Sequence, residues 1–166
     1  MRSYVLLRFV LQFFVIGIFS GAIYAGNTLD KFTHSMRPVT VYKSPTCGCC
    51  EAWVQHIKAA GFQTRVQESD NLNQLKKDLG LQPQYQACHT AAFKGYVFEG
   101  HVPASIIQHF LTQAPDALGL SVPGMPMGSP GMDNGRPFQD YQVLILNKDG
   151  SSEVYATVSN DGISYR

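Results

Sequence analysis

From residue 38 onward the apolar positions change period several times, and each change marks an element. Val39 and Val41 alternate with polar neighbours in "PVTVYKS" (38–44), which predicts a strand ending at Pro45. Trp53, Val54, Ile57 and Ala60 then recur at helical spacing, so 50–60 reads as a helix stopped by Gly61. "FQTRVQE" (62–68) predicts a second strand, and "NLNQLKKDLGL" (71–81) a short helix with Leu72, Leu75 and Leu79 along one face. "ACHTAAFKGYVFEGHV" (87–102) reads as two strands turning near Lys94-Gly95. "ASIIQHFLTQA" (104–114) is an amphipathic helix started by Pro103 and ended by Pro115. "GLSVPGMPMGSPGMDNGRPF" (119–138) is a loop rich in Gly and Pro. A β-hairpin, "YQVLILNKDGSSEVYATV" (141–158), follows with its turn at Asp149-Gly150.

The order β-α-β-α-β-β-α, with a strand running straight into a cysteine-bearing helix start, is the arrangement of the thioredoxin and glutaredoxin fold. The expected architecture is therefore α/β: a thioredoxin-like domain over 38–166, with an added C-terminal β-hairpin and a loop rich in Gly, Pro and Met. In that fold a cis-proline, carried on the loop and strand after the second helix, faces the active-site cysteines. "ACHTA" (87–91) holds that place here, which puts Cys88 opposite Cys47, Cys49 and Cys50.

The first 25 residues follow another pattern. Arg2 and Arg8 precede the apolar run "FVLQFFVIGIFSGAI" (9–23), and small residues follow in "SGAIYAG". This is the plan of a secretory signal peptide over 1–25, cleaved after Ala22 or Ala25. An uncleaved anchor is the competing reading, because 9–25 approaches the shortest spanning helix. No cysteine follows the run, so a lipid anchor is not indicated. Residues 26–37 read as a polar linker. The mature chain is thus expected in the periplasm, with no stable membrane anchor.

At 166 residues the chain is long enough for one self-sufficient core. Its formal net charge is +1, with 45% hydrophobic and 15% charged residues, and its Lys and Arg are scattered singly. That balance argues against a nucleic-acid partner, which calls for a basic patch.

The four cysteines carry the chemistry. In an oxidising compartment they would ordinarily form two disulfides. The crowding of three into "TCGCC" (46–50) is poorly explained that way, since adjacent Cys49 and Cys50 cannot easily bond each other. A helix N-terminus favours thiolates, which makes these residues good metal ligands and good nucleophiles. Soft thiolate and thioether donors select Cu(I), zinc or iron–sulfur. Met125, Met127 and Met132, in an irregular loop where core filling is a weak explanation, tip that choice toward copper. His89 beside Cys88, and His101 at the end of the predicted strand pair, join the candidate ligands. His34, His56 and His109 carry no such signal. Two alternatives stay open. Cys47 and Cys50 keep the C-x-x-C spacing of a thiol–disulfide oxidoreductase, and a zinc-stabilised module would use the same cysteines, although adjacent thiols fit poorly around one tetrahedral ion.

Together "TCGCC", "ACHTA", "EGHVPA" and "GMPMGSPGM" resemble the CopG-like proteins, an exported bacterial copper-resistance family with a CxCC motif. The resemblance runs over about 38–158. It implies a thioredoxin-like fold, several Cu(I) ions held as a multinuclear cluster by Cys47, Cys49, Cys50 and Cys88, and a role in copper handling under copper stress. Redox cycling of the metal, as a copper oxidoreductase, is implied as well. Copper ions and other periplasmic copper-handling proteins are the partners it suggests. Charge agrees with a cluster: one Cu(I) among four thiolates leaves three negative charges uncompensated, whereas sharing each thiolate between ions cancels the excess.

Overall fold

The computed structural model describes residues 37–166 apart from Asn134. The expected signal peptide and the linker up to residue 36 lie outside the described residues. No helix among the described residues is long and apolar enough to cross a membrane.

The described residues build a mixed α/β fold on one sheet of eight strands and three helices. β1 (Val39–Lys43) pairs in parallel with β2 (Thr64–Glu68) and antiparallel with β3 (Thr90–Phe93), which turns at Lys94-Gly95 into β4 (Tyr96–Glu99). β5 (Gly119–Ser121) lies parallel to β4 and antiparallel to β6 (Tyr141–Leu146). β7 (Ser152–Ser159) and β8 (Gly162–Tyr165) complete the meander, giving the order β2-β1-β3-β4-β5-β6-β7-β8. The helices are α1 (Gly48–Ala59), α2 (Asn73–Asp78) and α3 (Ala104–Gln113).

Strand alternation sorts the core. Val39 and Val41 of β1 and Phe98 of β4 share a buried cluster with Trp53, Val54 and Ile57 of α1 and Ile106, Ile107 and Phe110 of α3. Val97 of β4 belongs to a second, smaller cluster with Leu81 and Leu146. α1 and α3 are further tied by His56, whose Nε2 accepts the Ala104 backbone N–H at 3.0 Å. That bond satisfies one of the amides that a helix start leaves without an intrahelical partner.

Three elements differ from the sequence pattern. The helix expected over 71–81 contracts to Asn73–Asp78; Leu72, Leu75 and Leu79 are only half-buried, and the fully buried position of α2 is Lys76. β5 emerges from the stretch read as loop, because three residues buried between β4 and β6 are too few to show a period. β8 extends the C-terminal hairpin, pairs only with β7, and its four residues are exposed, so no apolar alternation announces it.

Candidate metal centre

α1 begins where β1 delivers the chain to the end of the sheet. Cys47 is the N-cap residue with extended backbone, and Cys49 and Cys50 fall in the first turn. Residues 47 and 50 therefore stand one turn apart on one side of the helix start, with Cα atoms 5.3 Å apart, and their sulfurs are joined in a disulfide. Cys49 and Cys88 are free thiols. Cys49 Sγ lies 3.5 Å from Cys47 Sγ, and the four sulfurs all lie within 4.8 Å of one another. The loop before β3 thus brings Cys88 across to the CxCC turn, on the same side of the sheet. The disulfide departs from the sequence expectation of four thiolates: the i, i+3 geometry that gathers the sulfurs also lets one pair bond. Cys50 is completely buried; the other three are half-buried.

Two imidazoles close one flank. Cys88 Sγ lies 3.0 Å from Nε2 of His101 and 3.3 Å from Nδ1 of His89. One ligand atom from each of Cys88, His89 and His101 also falls within 4.8 Å of the others. His101 Nδ1–H donates to the carbonyl of Pro130 at 2.8 Å, since a carbonyl only accepts. That bond fixes the tautomer, leaving the Nε2 lone pair of the neutral ring toward Cys88, as a ligating histidine is commonly held. His89 packs on Trp53, ring centroids 4.5 Å apart, and its buried Nε2 has no hydrogen-bond partner. The nitrogen that faces the thiol is Nδ1, and the buried Nε2 is a polar atom that no hydrogen bond satisfies. Trp53 is in turn fixed by its indole N–H, which donates to Val102 C=O at 2.9 Å.

Burial dominates the electrostatics. It holds His89 well below the usual imidazole range, with His101 and Lys76 adding to the effect, and it lowers His101 as well. Both rings are neutral near pH 7, the form that binds metals. Burial, with Cys49 next to it, pushes the Cys88 thiol up to about 12, so the metal-free site holds Cys88 protonated.

The Gly/Pro loop reaches the centre at two points. Pro130 accepts from His101, and Gly131, with φ +86°, lies against the backbone of α1 at Cys49 and Trp53. Met132 follows directly. Met127 and Met132 are half-buried, while Met125 is 51% exposed.

The sequence pattern passed over Lys76, Thr90 and Glu99. The Lys76 ammonium pairs with Glu99 in full burial, and Thr90 donates to Glu99 Oε2 at 2.6 Å. Burial raises the Glu99 carboxyl while Lys76 and the Thr90 and Ala87 donors oppose the rise. The available signal was a lone acid in the apolar run "YVFEG" (96–100).

A family model described as "Protein of unknown function, DUF411" matches residues 85–132, the segment holding Cys88, both histidines and the methionines. No curated protein matches. Two solved structures do, both titled copper resistance protein copG. Form 2 is 37% identical with a TM-score of 0.69, covering 74% of this chain and 100% of that one. Form 1 is 38% identical with a TM-score of 0.68, covering 72% of this chain and 95% of that one.

Proposed function

The chain belongs to the CopG family of copper-resistance proteins, and from that premise we propose that it is an exported, thioredoxin-like copper-binding protein. Its copper is held as a Cu(I)–thiolate cluster on Cys47, Cys49, Cys50 and Cys88. The observation that carries this reading is the approach of all four sulfurs to within 4.8 Å of one another. Four soft donors at that separation suit bridging by a monovalent soft ion better than a single tetrahedral zinc, because Cys49 and Cys50 need not converge on one centre. The strand order β2-β1-β3-β4 at one end of the sheet, with β1 and β2 parallel and β3 and β4 antiparallel, supports the thioredoxin-like assignment.

Each residue then has a task. Cys47 and Cys50 become ligands once two electrons and two protons from a dithiol open their bond. Cys88 gives up its proton to solvent on loading, and the neutral His101 Nε2, 3.0 Å from its sulfur, keeps its lone pair free. His89 and His101 lend nitrogen donors, and Met125, Met127 and Met132 supply thioethers for copper entry and exit. A change between Cu(I) and Cu(II) is the redox chemistry that the bound metal would supply. Residues 1–25 direct the chain to the periplasm and are removed, 26–37 form a linker, and 38–166 form the binding domain. Other periplasmic copper-handling proteins exchange the metal with it.

Thiol–disulfide exchange is the second reading, favoured by one observation, the bond between Cys47 and Cys50. Metal analysis of protein isolated without oxygen from the periplasm, with thiol titration alongside, separates the two. Several coppers per chain with all four cysteines reduced supports the first reading. Copper-free protein that catalyses disulfide exchange supports the second.

A further inference from the structure

We propose that the buried Lys76–Glu99 ion pair is the device that positions Cys88, holding its thiol beside Cys49 whether or not metal is bound. This rests on the copper reading for its purpose, though not for its geometry.

Lys76 is 4% exposed and Glu99 not at all. Burying two charges is costly, and a well-packed apolar pair is commonly as stable or more so, which makes stability a poor reason for this pair. Its hydrogen bonds give a better one. The Lys76 ammonium donates to Glu99 Oε1, to the Ala87 carbonyl at 3.1 Å and to Thr90 Oγ1 at 3.0 Å, which uses all three of its protons. Glu99 accepts the Ala87 N–H at 2.8 Å on Oε1 and the Thr90 hydroxyl at 2.6 Å on Oε2.

Apart from the bond between the two charges, every one of these contacts falls on residue 87 or residue 90. Those two residues bracket Cys88 and His89. Between them, Gly100 donates its N–H to the His89 carbonyl at 2.9 Å, and His101 comes next on the same strand end. A Cβ on Gly100 would lie 2.6 Å from Ala87 Cβ, so glycine is what lets the two segments approach.

The consequence is directional. Ala87 has both its N–H and its C=O fixed to charged groups rooted in α2 and β4, so the peptide leading into Cys88 has one orientation. An apolar pair would fill the same volume but could not grip an amide and a carbonyl together. Lys76 and Glu99 are thus positioning residues, and Glu99 belongs to neither group of gathered ligand atoms.

The test exploits the bonded Cys47–Cys50 pair, which leaves Cys49 and Cys88 as the two free thiols. A phenyl arsine oxide bridges two neighbouring thiols: two As–S bonds form, and the oxygen leaves as water with both thiol protons. Its affinity for the full, copper-free chain reads how well the two sulfurs are held together. Replacement of the pair by Lys76→Met with Glu99→Leu is expected to weaken arsenical binding tenfold or more while near-ultraviolet circular dichroism stays native. Cu(I) capacity of the reduced variant should fall to that of Cys88→Ser. Unchanged arsenical affinity in the folded variant overturns the proposal. Should the double variant unfold, Thr90→Val decides in the same assay, because it removes one hydroxyl and keeps the ion pair: weakening of twofold or more supports the positioning role, and no change overturns it. Wild-type protein that takes up no Cu(I), with arsenical affinity still dependent on the pair, would sink the copper reading and leave this one standing.

Discussion

Gly131 lies so close to Cys49 that a Cβ at residue 131 would stand 2.6 Å from the Cys49 carbonyl oxygen. The loop that carries the methionines therefore rests directly on the first turn of the CxCC helix, and it can do so only as glycine. The φ of +86° at the same residue points the same way, since side chains seldom adopt it. Gly131→Ala should cost about 1–3 kcal/mol from backbone strain and contact together. It should also shift the methionine-bearing loop off the helix start and weaken Cu(I) affinity, measured by competition with a chelator. Unaltered affinity would show that the loop takes no part in holding copper.

The methionines separate a copper role from a packing role. Changing Met125, Met127 and Met132 together to leucine keeps their bulk and removes the sulfur, at a stability cost typically under about 1.5 kcal/mol per site. Stopped-flow transfer of Cu(I) to an acceptor chelator should slow while the melting temperature barely moves. Equal transfer rates would leave these residues as packing alone.

Oxidation state should control capacity. With Cys47 and Cys50 bonded, two of the four sulfurs are unavailable as thiolates. Protein loaded without prior reduction is expected to bind at most half the copper of the reduced chain. Equal uptake by both forms would mean that Cys47 and Cys50 are not ligands.

Acid should loosen the metal-free fold through His56. Burial lowers this imidazole below its ordinary value of 6.5, and its Nε2 must stay unprotonated to accept the Ala104 N–H. A folded-state value below the unfolded one means that the stability it contributes is complete above about 6.5 and is lost as pH falls through the folded-state value. Buried His89 shifts in the same direction. Thermal melts at pH 7.5 and 5.5 should show lower stability at the acid pH, and His56→Gln should narrow the gap. A gap that the substitution leaves untouched would remove His56 from the account.

Much of this architecture can be read from the chain because its elements bury one face each. Val39 and Val41 alternate, Trp53, Val54 and Ile57 recur every third or fourth residue, and the Lys94-Gly95 turn separates two short β runs. The grouping of Cys88 with the CxCC turn follows from that element order, as the 4.8 Å spread of the sulfurs bears out. Other features leave no periodic trace. Lys76 interrupts the apolar face of its helix because its partner, Glu99, is 23 residues away in sequence. The contact of Gly131 with Cys49 and the bond of His101 to Pro130 join segments that only the completed fold brings together. The pairing of Cys47 with Cys50 was one of several that the spacing allowed.

The most direct test of the copper cluster is an anaerobic titration of the fully reduced chain with Cu(I) against a competing chelator. Four thiolates lower their mutual repulsion most by sharing three or four monovalent ions, so binding should be cooperative and saturate at about three to four Cu(I) per chain. Cys88→Ser should cut that number sharply, because Cys88 is the one of the four gathered sulfurs that comes from outside the CxCC turn. Saturation at one copper per chain, unchanged by the loss of Cys88, would contradict the cluster and favour thiol exchange instead.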